Sequence, residues 1–231
     1  MKTNKIKILT LTLTSMFLLS SCNESDTVSK KSYDTMYEHL VYCWNQSLEG
    51  IHFDNAFFGD SRVIGGDFVG EFKNKSVVNL GVGGDKVNDL INRYELIKTV
   101  TPKRVFLATG GNNALSSEYN KDKFIFEYNV LLSKFKNDGY DVIVHNVVGL
   151  TTFNSSYDDK EIKEKNSKIS EINEIIKLKA EEYKFTFLDI ASVMNKNNSN
   201  EMKDEYSADG VHFNDTGFKV WFDCIRELVI W

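Results

Sequence analysis

Short apolar segments alternate with longer amphipathic ones along most of this 231-residue chain. The short segments are rich in β-branched and aromatic residues, as in Val142-Ile143-Val144, a composition typical of buried strands. They are Asn55–Phe58, Ser76–Leu80, Arg104–Ala108, Asp141–Val148 and Phe185–Ile190. Strands that alternate with helices are usually parallel and carry helices on both faces of one sheet. The pattern therefore predicts an α/β fold with five strands.

Helices are predicted between the strands, where apolar residues recur every three or four positions. The longest is Glu161–Tyr183, in which Ile162, Ile169 and Ile172 are among the residues expected to face inward. The others are Tyr33–Gln46, Ser61 to about Phe72, about Asp85–Lys98, roughly Asp122–Asn137 and Phe218–Trp231. A chain of this length suits one domain with a sizeable core.

Three turns of unusual composition each follow a predicted strand. Ser61 follows the first strand, Gly84 the second and Asn112 the third. Ligands of open α/β sheets bind beyond the carboxyl ends of the strands. We therefore expect these three residues to gather at one edge of the sheet.

Ser61, Asp209 and His212 are the residue types that catalysis by a hydroxyl nucleophile requires. A hydroxyl attacks an ester at neutral pH only when a base removes its proton and a third group orients that base. Asp209 and His212 are three residues apart, which in a helical turn places them on one side of the backbone. Two other interpretations stay open: Ser61 as a helix N-cap, and the Asp209–His212 segment as a solvated loop.

Two segments between these residues carry donors that could stabilise an oxyanion. Gly81–Gly84 offers backbone N–H groups that a substrate can approach closely, and Asn112 offers a neutral side-chain amide. Each has a plainer alternative. The glycines could form only a tight turn with positive φ, and Asn112 with Asn113 could cap the following segment.

The N-terminal residues have the pattern of an export signal. Three lysines precede an apolar stretch, Ile8–Leu19, that is too short to span a bilayer as a stable helix. Leu19-Ser20-Ser21-Cys22 resembles the bacterial lipobox, in which the cysteine is lipidated. We therefore expect a lipoprotein signal peptide at 1–21, a lipid anchor on Cys22, a flexible tether at 22–31, and an exported protein anchored to a membrane of the cell envelope. The alternative is an ordinary signal peptide that happens to contain Cys22.

Charge and histidine spacing exclude two kinds of partner. The formal net charge is −5, and it becomes more negative without the lysines of residues 1–21. An acidic protein is a poor candidate for binding nucleic acid. The four histidines show no paired ligand spacing, so no metal site is expected.

Two cysteines follow Cys22 in the chain. Cys43 and Cys224 both fall in predicted terminal helices, which could be neighbours. An exported chain can keep a disulfide, so one interpretation joins them covalently. The other treats them as two small buried apolar residues, and both interpretations stay open.

Four sequence blocks, taken in order, resemble those of the SGNH hydrolases, also called GDSL esterases and lipases. They are Gly59-Asp60-Ser61, Asn79-Leu80-Gly81-Val82-Gly83-Gly84-Asp85, Gly110-Gly111-Asn112-Asn113 and Asp209-Gly210-Val211-His212-Phe213-Asn214. Four ordered blocks are far more specific than any one of them. The resemblance spans about Asn55 to the C-terminus, and we assign the SGNH domain to 32–231. The segments around Ser61 and Gly84 are similar to the branch that contains platelet-activating-factor acetylhydrolase subunits and related bacterial acylesterases.

The resemblance implies a flavodoxin-like three-layer α/β/α sandwich with a five-stranded parallel sheet and no cofactor. It makes Ser61 the nucleophile, His212 the base and Asp209 the residue that orients the base. It also implies an oxyanion hole formed by the backbone N–H groups of Ser61 and Gly84 and the side chain of Asn112. Asn113 stands where many members have Asp, a departure that leaves the hole itself untouched.

The expected function is that of a serine hydrolase that cleaves short-chain, acetyl-type carboxylic esters through an acyl-enzyme intermediate. Its substrate would be a small ester or an acylated glycan. One alternative with the same chemistry is a carbohydrate O-deacetylase of the cell envelope. An alternative of another class is a non-catalytic binding lipoprotein on a hydrolase scaffold. The complete set of catalytic residue types argues against the last.

Overall fold

The computed structural model describes residues 44–229, and these residues form an α/β fold. Residues 44–48 are helical, and five strands follow. The strands are β1 (Asn55–Gly59), β2 (Val77–Gly81), β3 (Arg104–Ala108), β4 (Asp141–His145) and β5 (Thr186–Leu188). Every neighbouring pair is parallel, and the order across the sheet is β2-β1-β3-β4-β5. The predicted five-stranded parallel sheet is confirmed, and its order is the flavodoxin-like one.

Helices follow each of the five strands. They are α1 (Ser61–Ile64) and α2 (Phe68–Glu71) after β1, α3 (Val87–Asn92) and α4 (Glu95–Val100) after β2, α5 (Gly111–Leu115) and α6 (Lys121–Asn137) after β3, α7 (Asp159–Tyr183) after β4, and α8 (Ile190–Met194) and α9 (Asp215–Leu228) after β5. A short 3₁₀ helix, Asp204–Tyr206, precedes α9. Two predicted helices are each two shorter ones, and α5 and α8 were not predicted.

Helix boundaries follow from local hydrogen bonds. At the start of α7, the Asp158 carboxylate accepts from the Glu161 N–H at 2.8 Å, and the Glu161 carboxylate accepts from the Asp158 N–H at 3.0 Å. This reciprocal capping box satisfies donors that a helix leaves unpaired, so α7 begins two residues before its predicted start. The predicted helix from Ser61 to about Phe72 is interrupted because Gly65 and Gly66 follow α1, and glycine disfavours a continuous helix.

Two apolar cores lie on opposite faces of the sheet. Successive strand residues point to opposite faces, so Phe58 belongs to the core with α3, α6 and α7, while Phe57 belongs to the core with α2 and α9. Phe57 stacks on Phe106 of β3, with the ring centroids 4.3 Å apart. Both faces are therefore covered, which gives the three-layer sandwich.

The strand order places a crevice at the end of β1. The chain passes from β1 to β2 on one side of β1 and then to β3 on the other side. Connections that leave in opposite directions open a crevice beyond the carboxyl ends of the two strands, which is where such sheets bind ligands. Ser61 follows β1 and Asn112 follows β3, so both residues lie beside this crevice.

Several expectations concern residues outside 44–229. They are the signal peptide at 1–21, the tether at 22–31, the anchor on Cys22 and any bond to Cys43. Cys224 is a free, half-buried cysteine of α9, and burial raises the pKa of its thiol. Because Cys43 lies outside the described residues, both interpretations of the two cysteines stay open. Over the described part of the chain, the helices are too short or too polar to cross a membrane.

Candidate active site

Ser61 lies at the junction between β1 and α1, where three consecutive residues, Gly59, Asp60 and Ser61, have different structural roles. A Cβ on Gly59 would come within 2.0 Å of the Ala108 carbonyl oxygen, so only glycine fits between β1 and β3. Asp60 caps α1 by accepting from the Arg62 N–H at 3.1 Å. Burial raises the pKa of Asp60, although the nearby Arg62 charge opposes this shift. Because Asp60 takes the capping role, the Ser61 hydroxyl is available for another partner.

That partner is His212. Its Nε2 lies 3.0 Å from Ser61 Oγ, and its Nδ1 lies 2.8 Å from Asp209 Oδ2. Burial acts to raise the pKa of Asp209, but hydrogen bonds from the ring and backbone N–H of His212 and from the Val211 N–H outweigh it and lower that pKa. A carboxylate that stays ionised holds Nδ1–H, which leaves Nε2 as the acceptor that faces Ser61.

The segment that carries Asp209 and His212 is a loop and not the helical turn that we expected from their spacing. Asp209 Oδ1 accepts from the backbone N–H groups of Val211 at 3.0 Å and His212 at 2.7 Å. An aspartate that bonds the backbone two and three residues ahead folds the chain back on itself. The same carboxylate therefore shapes the loop with one oxygen and orients the imidazole with the other.

The three predicted oxyanion donors surround the same crevice. Gly84 lies in the exposed loop after β2 with a φ of +84°, a conformation that glycine adopts readily. A Cβ on its neighbour Gly83 would lie 4.0 Å from Ser61 Cβ, so this loop runs close to the serine. Within residues 44–229, the N–H groups of Ser61 and Gly84 have no hydrogen-bond acceptor.

Asn112 lies in the first turn of α5 and lines one cleft with Ser61. Its Nδ2 donates to the Asp85 carbonyl at 3.0 Å. A side-chain amide has two N–H groups, so this bond fixes the orientation of Asn112 and leaves a second donor. The structure thus brings together Ser61, His212 and Asp209, and it places Asn112 and the Gly83–Gly84 loop beside Ser61.

The other histidines of the described chain lie elsewhere. His145, at the end of β4, is fully buried and accepts a hydrogen bond from Trp221 Nε1 at 3.0 Å. Burial lowers the pKa of His145 to about 3. His52 contacts Thr101 in the stretch before β1. Residues 44–229 contain no group of three or more acidic, histidine or cysteine side chains that could hold a metal ion.

A model of the GDSL-like Lipase/Acylhydrolase family matches residues 53–220. The chain belongs to this family. It is therefore an ester hydrolase of the GDSL type, and the predicted resemblance is confirmed. No match to a curated protein was found.

Solved structures of low sequence identity share the fold of this GDSL-type hydrolase. A GDSL-like lipase from Bacteroides thetaiotaomicron is 21% identical with a TM-score of 0.71, over 84% of this chain and 96% of the other. A Streptococcus pneumonia protein named provisionally as a platelet activating factor is 15% identical with a TM-score of 0.69, over 83% and 92%. An acetylxylan esterase from Geobacillus stearothermophilus is 19% identical with a TM-score of 0.57, over 79% and 96%.

The GDSL-type site contains a buried ion pair that the sequence analysis missed. Arg93 Nε lies 2.7 Å from Asp85 Oδ2, and the two side chains are 1% and 3% exposed. Arg93 also donates to the carbonyls of Leu80 at 2.7 Å and Gly59 at 2.8 Å. Burial raises the pKa of Asp85 to about 6, although Arg93 opposes the shift. The sequence signal that could have revealed this ion pair is an arginine on the apolar face of a predicted helix.

This ion pair supports the residues that surround Ser61. Asp85 follows Gly84 directly, and its carbonyl is the acceptor for Asn112. Arg93 joins the carboxyl ends of β1 and β2 through the two carbonyls that it contacts. Asn113, where many members of the family have Asp, accepts from the Val87 N–H at 3.1 Å at the start of α3. Asn113 therefore holds the start of α3 in place, which is a different role from the one assigned to Asn112.

Proposed function

We propose that this protein is a serine esterase that removes short acyl groups through an acyl-enzyme intermediate. The observation that carries the proposal is the continuous chain of contacts from Asp209 through His212 to Ser61, at 2.8 and 3.0 Å. Side chains in this arrangement pass a proton from a hydroxyl to an imidazole while a carboxylate orients the ring. Membership of the GDSL family supports the same reaction class.

In the proposed acylation step, Ser61 Oγ attacks the ester carbonyl as His212 Nε2 takes its proton. The negative charge that develops on the carbonyl oxygen is stabilised by the N–H groups of Ser61 and Gly84 and by the Asn112 amide. His212 then gives the proton to the departing alcohol, which leaves an ester on Ser61. In the second step His212 removes a proton from water, and the resulting hydroxide attacks the acyl carbonyl. The acyl–Oγ bond then breaks, His212 returns its proton to Ser61 Oγ, and the acid leaves.

The size of the cleft supports a short acyl group. The cleft that Ser61 and Asn112 line has a cavity volume of about 40 Å³, and a single water needs roughly 10–15 Å³ of such space. Its apolar walls include Leu115, Leu150 and Ile169. This space suits an acetyl group, and a long acyl chain would have to extend out of the cleft. Hydrolysis rates on p-nitrophenyl esters should therefore fall from acetyl to palmitoyl, and a steady rise would overturn this preference.

A fluorophosphonate probe tests the nucleophile directly. The probe should label the parent protein on Ser61 and fail to label Ser61→Ala. His212→Ala should be labelled far more slowly, because the serine then lacks its base. Peptide mapping of the adduct identifies the site. Labelling of folded Ser61→Ala at the parent rate would refute the proposed mechanism.

A second candidate is a carbohydrate O-deacetylase of the cell envelope. The Thr151 N–H donates to the Gly210 carbonyl at 3.0 Å, so the loop after β4 packs against the His212 loop. Phe153 of that loop is 45% exposed, and aromatic side chains provide flat apolar surfaces for ligands. One solved structure of similar fold is an acetylxylan esterase. Faster release of acetate from acetylated oligosaccharides than from aryl acetate would favour this candidate. Phe153→Ala should then reduce the rate on acetylated oligosaccharides and leave the rate on aryl acetate unchanged.

We also propose that Cys22 carries lipid and anchors the exported protein to a membrane. The support is the lipobox-like Leu19-Ser20-Ser21-Cys22 segment. One acyl chain binds membranes only marginally, so stable attachment requires more than one chain. Cys22→Ser should move the protein to the soluble fraction. Identical partitioning of the parent and the variant would contradict the anchor.

A further inference from the structure

Arg62, the residue after Ser61, reaches well beyond its own helix. Its Nε donates to the Val211 carbonyl at 3.0 Å, its Nη1 to the Val148 carbonyl at 2.7 Å and its Nη2 to the Gly149 carbonyl at 3.4 Å. The guanidinium also lies 4.8 Å from the centre of the Phe213 ring. One side chain therefore joins α1 to the loop after β4 and to the loop that carries His212.

The contact with Val211 bears on the geometry of the proposed proton transfer. Val211 directly precedes His212, whose Nε2 must stay near the 3.0 Å separation from Ser61 Oγ. The bridge between Ser207 and Phe213 and the Asp209 hydrogen bonds give the loop its internal shape. Those bonds do not connect the loop to α1. Besides the Ser61–His212 bond itself, the Arg62 Nε–Val211 bond makes that connection.

Arginine has the chemistry that this position needs. Its guanidinium offers five N–H donors in a rigid plane, so one side chain can bond several carbonyls in fixed directions. Burial lowers the pKa of Arg62 to about 10, against the opposing effect of Asp60 and Asp209. The group therefore remains charged at neutral pH, and charged donors make the stronger hydrogen bonds.

We propose that Arg62 is a positioning residue that holds His212 within reach of Ser61. The inference rests on the proposed serine-esterase function. A displacement of a catalytic group by about 1 Å can lower the rate about 10²-fold, so Arg62→Ala should reduce kcat on p-nitrophenyl acetate by about that factor. KM should change little, because the effect acts through the base, which takes its proton only in the transition state.

A double-mutant cycle tests whether Arg62 acts through His212. The parent, Arg62→Ala, His212→Ala and the double variant are assayed on p-nitrophenyl acetate. In the His212→Ala background the Arg62 substitution should lower kcat/KM by less than about 3-fold, because residues that act as a unit are not additive. A loss of about 10²-fold in both backgrounds would overturn the inference. Parent activity in folded His212→Ala would instead refute the serine-esterase function itself, whatever Arg62 does.

Two further variants complete the test. Arg62→Lys keeps the charge but not the planar fork, so it should recover about 10-fold in kcat relative to Arg62→Ala. Arg104→Ala is the matched control. Arg104 pairs with Asp141 at 2.9 Å, and both residues lie at the amino ends of their strands, away from the carboxyl ends where Ser61 lies. It should keep the parent kcat. If a thermal melt shows that Arg62→Ala does not fold, Arg62→Lys replaces it in the cycle, and a parent-like kcat in folded Arg62→Lys would then overturn the inference.

Discussion

The sharpest test of the oxyanion hole is to truncate Asn112 and leave the nucleophile and base intact. Its amide donates to the Asp85 carbonyl at 3.0 Å and keeps a second N–H beside Ser61. Asn112→Ala removes both bonds, and their effects fall on different measurements. Loss of the Asp85 bond should lower the free energy of unfolding by about 0.5–1.5 kcal/mol. Loss of the oxyanion donor should lower kcat by about 10²–10³, roughly 2.7–4 kcal/mol of transition-state stabilisation.

The assay is steady-state hydrolysis of p-nitrophenyl acetate, with a urea titration for stability. KM should change little, because the donor meets charge that is absent from the ground state. Asn113→Ala is the matched control, since Asn113 accepts from the Val87 N–H and lies next to Asn112 in the same helix. It should lose similar stability and keep the parent kcat. A folded Asn112→Ala with the parent kcat would refute the assignment of Asn112 to the oxyanion hole.

Two more predictions concern stability. Burial lowers the pKa of His145 to about 3, whereas the ordinary pKa of histidine, which applies in the unfolded chain, is about 6.5. Between these two pH values the unfolded chain binds a proton at His145 and the native state does not. The free energy of unfolding should therefore fall as the pH drops from 6.5 towards 3, by at most about 1.4 kcal/mol per pH unit. His145→Asn, which keeps an acceptor for Trp221, should flatten the fall in Tm between pH 7.5 and 4.5, and an equal fall in both proteins would contradict this reasoning. Arg93→Met leaves Asp85 buried without its partner and should lower the free energy of unfolding by about 3–5 kcal/mol in urea titrations. Adding Asp85→Asn should recover part of that loss, and no recovery would show that the ion pair is not the cause.

The fold was predictable because burial on both faces of a parallel sheet leaves a signal in each strand separately. Phe57 and Phe58 are both buried, on opposite faces, so the strand reads as a continuous apolar run. Strand ends were harder to predict. The predicted strand Asp141–Val148 ends at His145, and the buried Val147 that follows lines the active-site cleft instead. Burial in a loop and burial in a strand have the same sequence signature, so the pattern alone could not separate them.

The short helices were not predicted, for a related reason. In α5 the helix consists of five residues and starts at Gly111 after a glycine with a φ of +112°. A segment of one turn has too few residues to show helical periodicity. The spacing of Asp209 and His212 also suggested a helical turn, whereas the pairing arises from a loop shaped by Asp209 itself. Local side-chain hydrogen bonds compete with regular helix and cannot be read from spacing.

The sequence by itself determined the parallel α/β sheet, the edge at which the site forms, and the residue types that meet there. Strand order follows from connections and burial, so residues that end different strands converge even when they lie far apart in the chain. Only the tertiary structure decided which groups support them. Arg62 and Arg93 are ordinary arginines in the sequence, yet their donors meet carbonyls up to 149 residues away. Main-chain carbonyls belong to every residue and carry no sequence signal, so contacts of this kind appear only once the chain is folded.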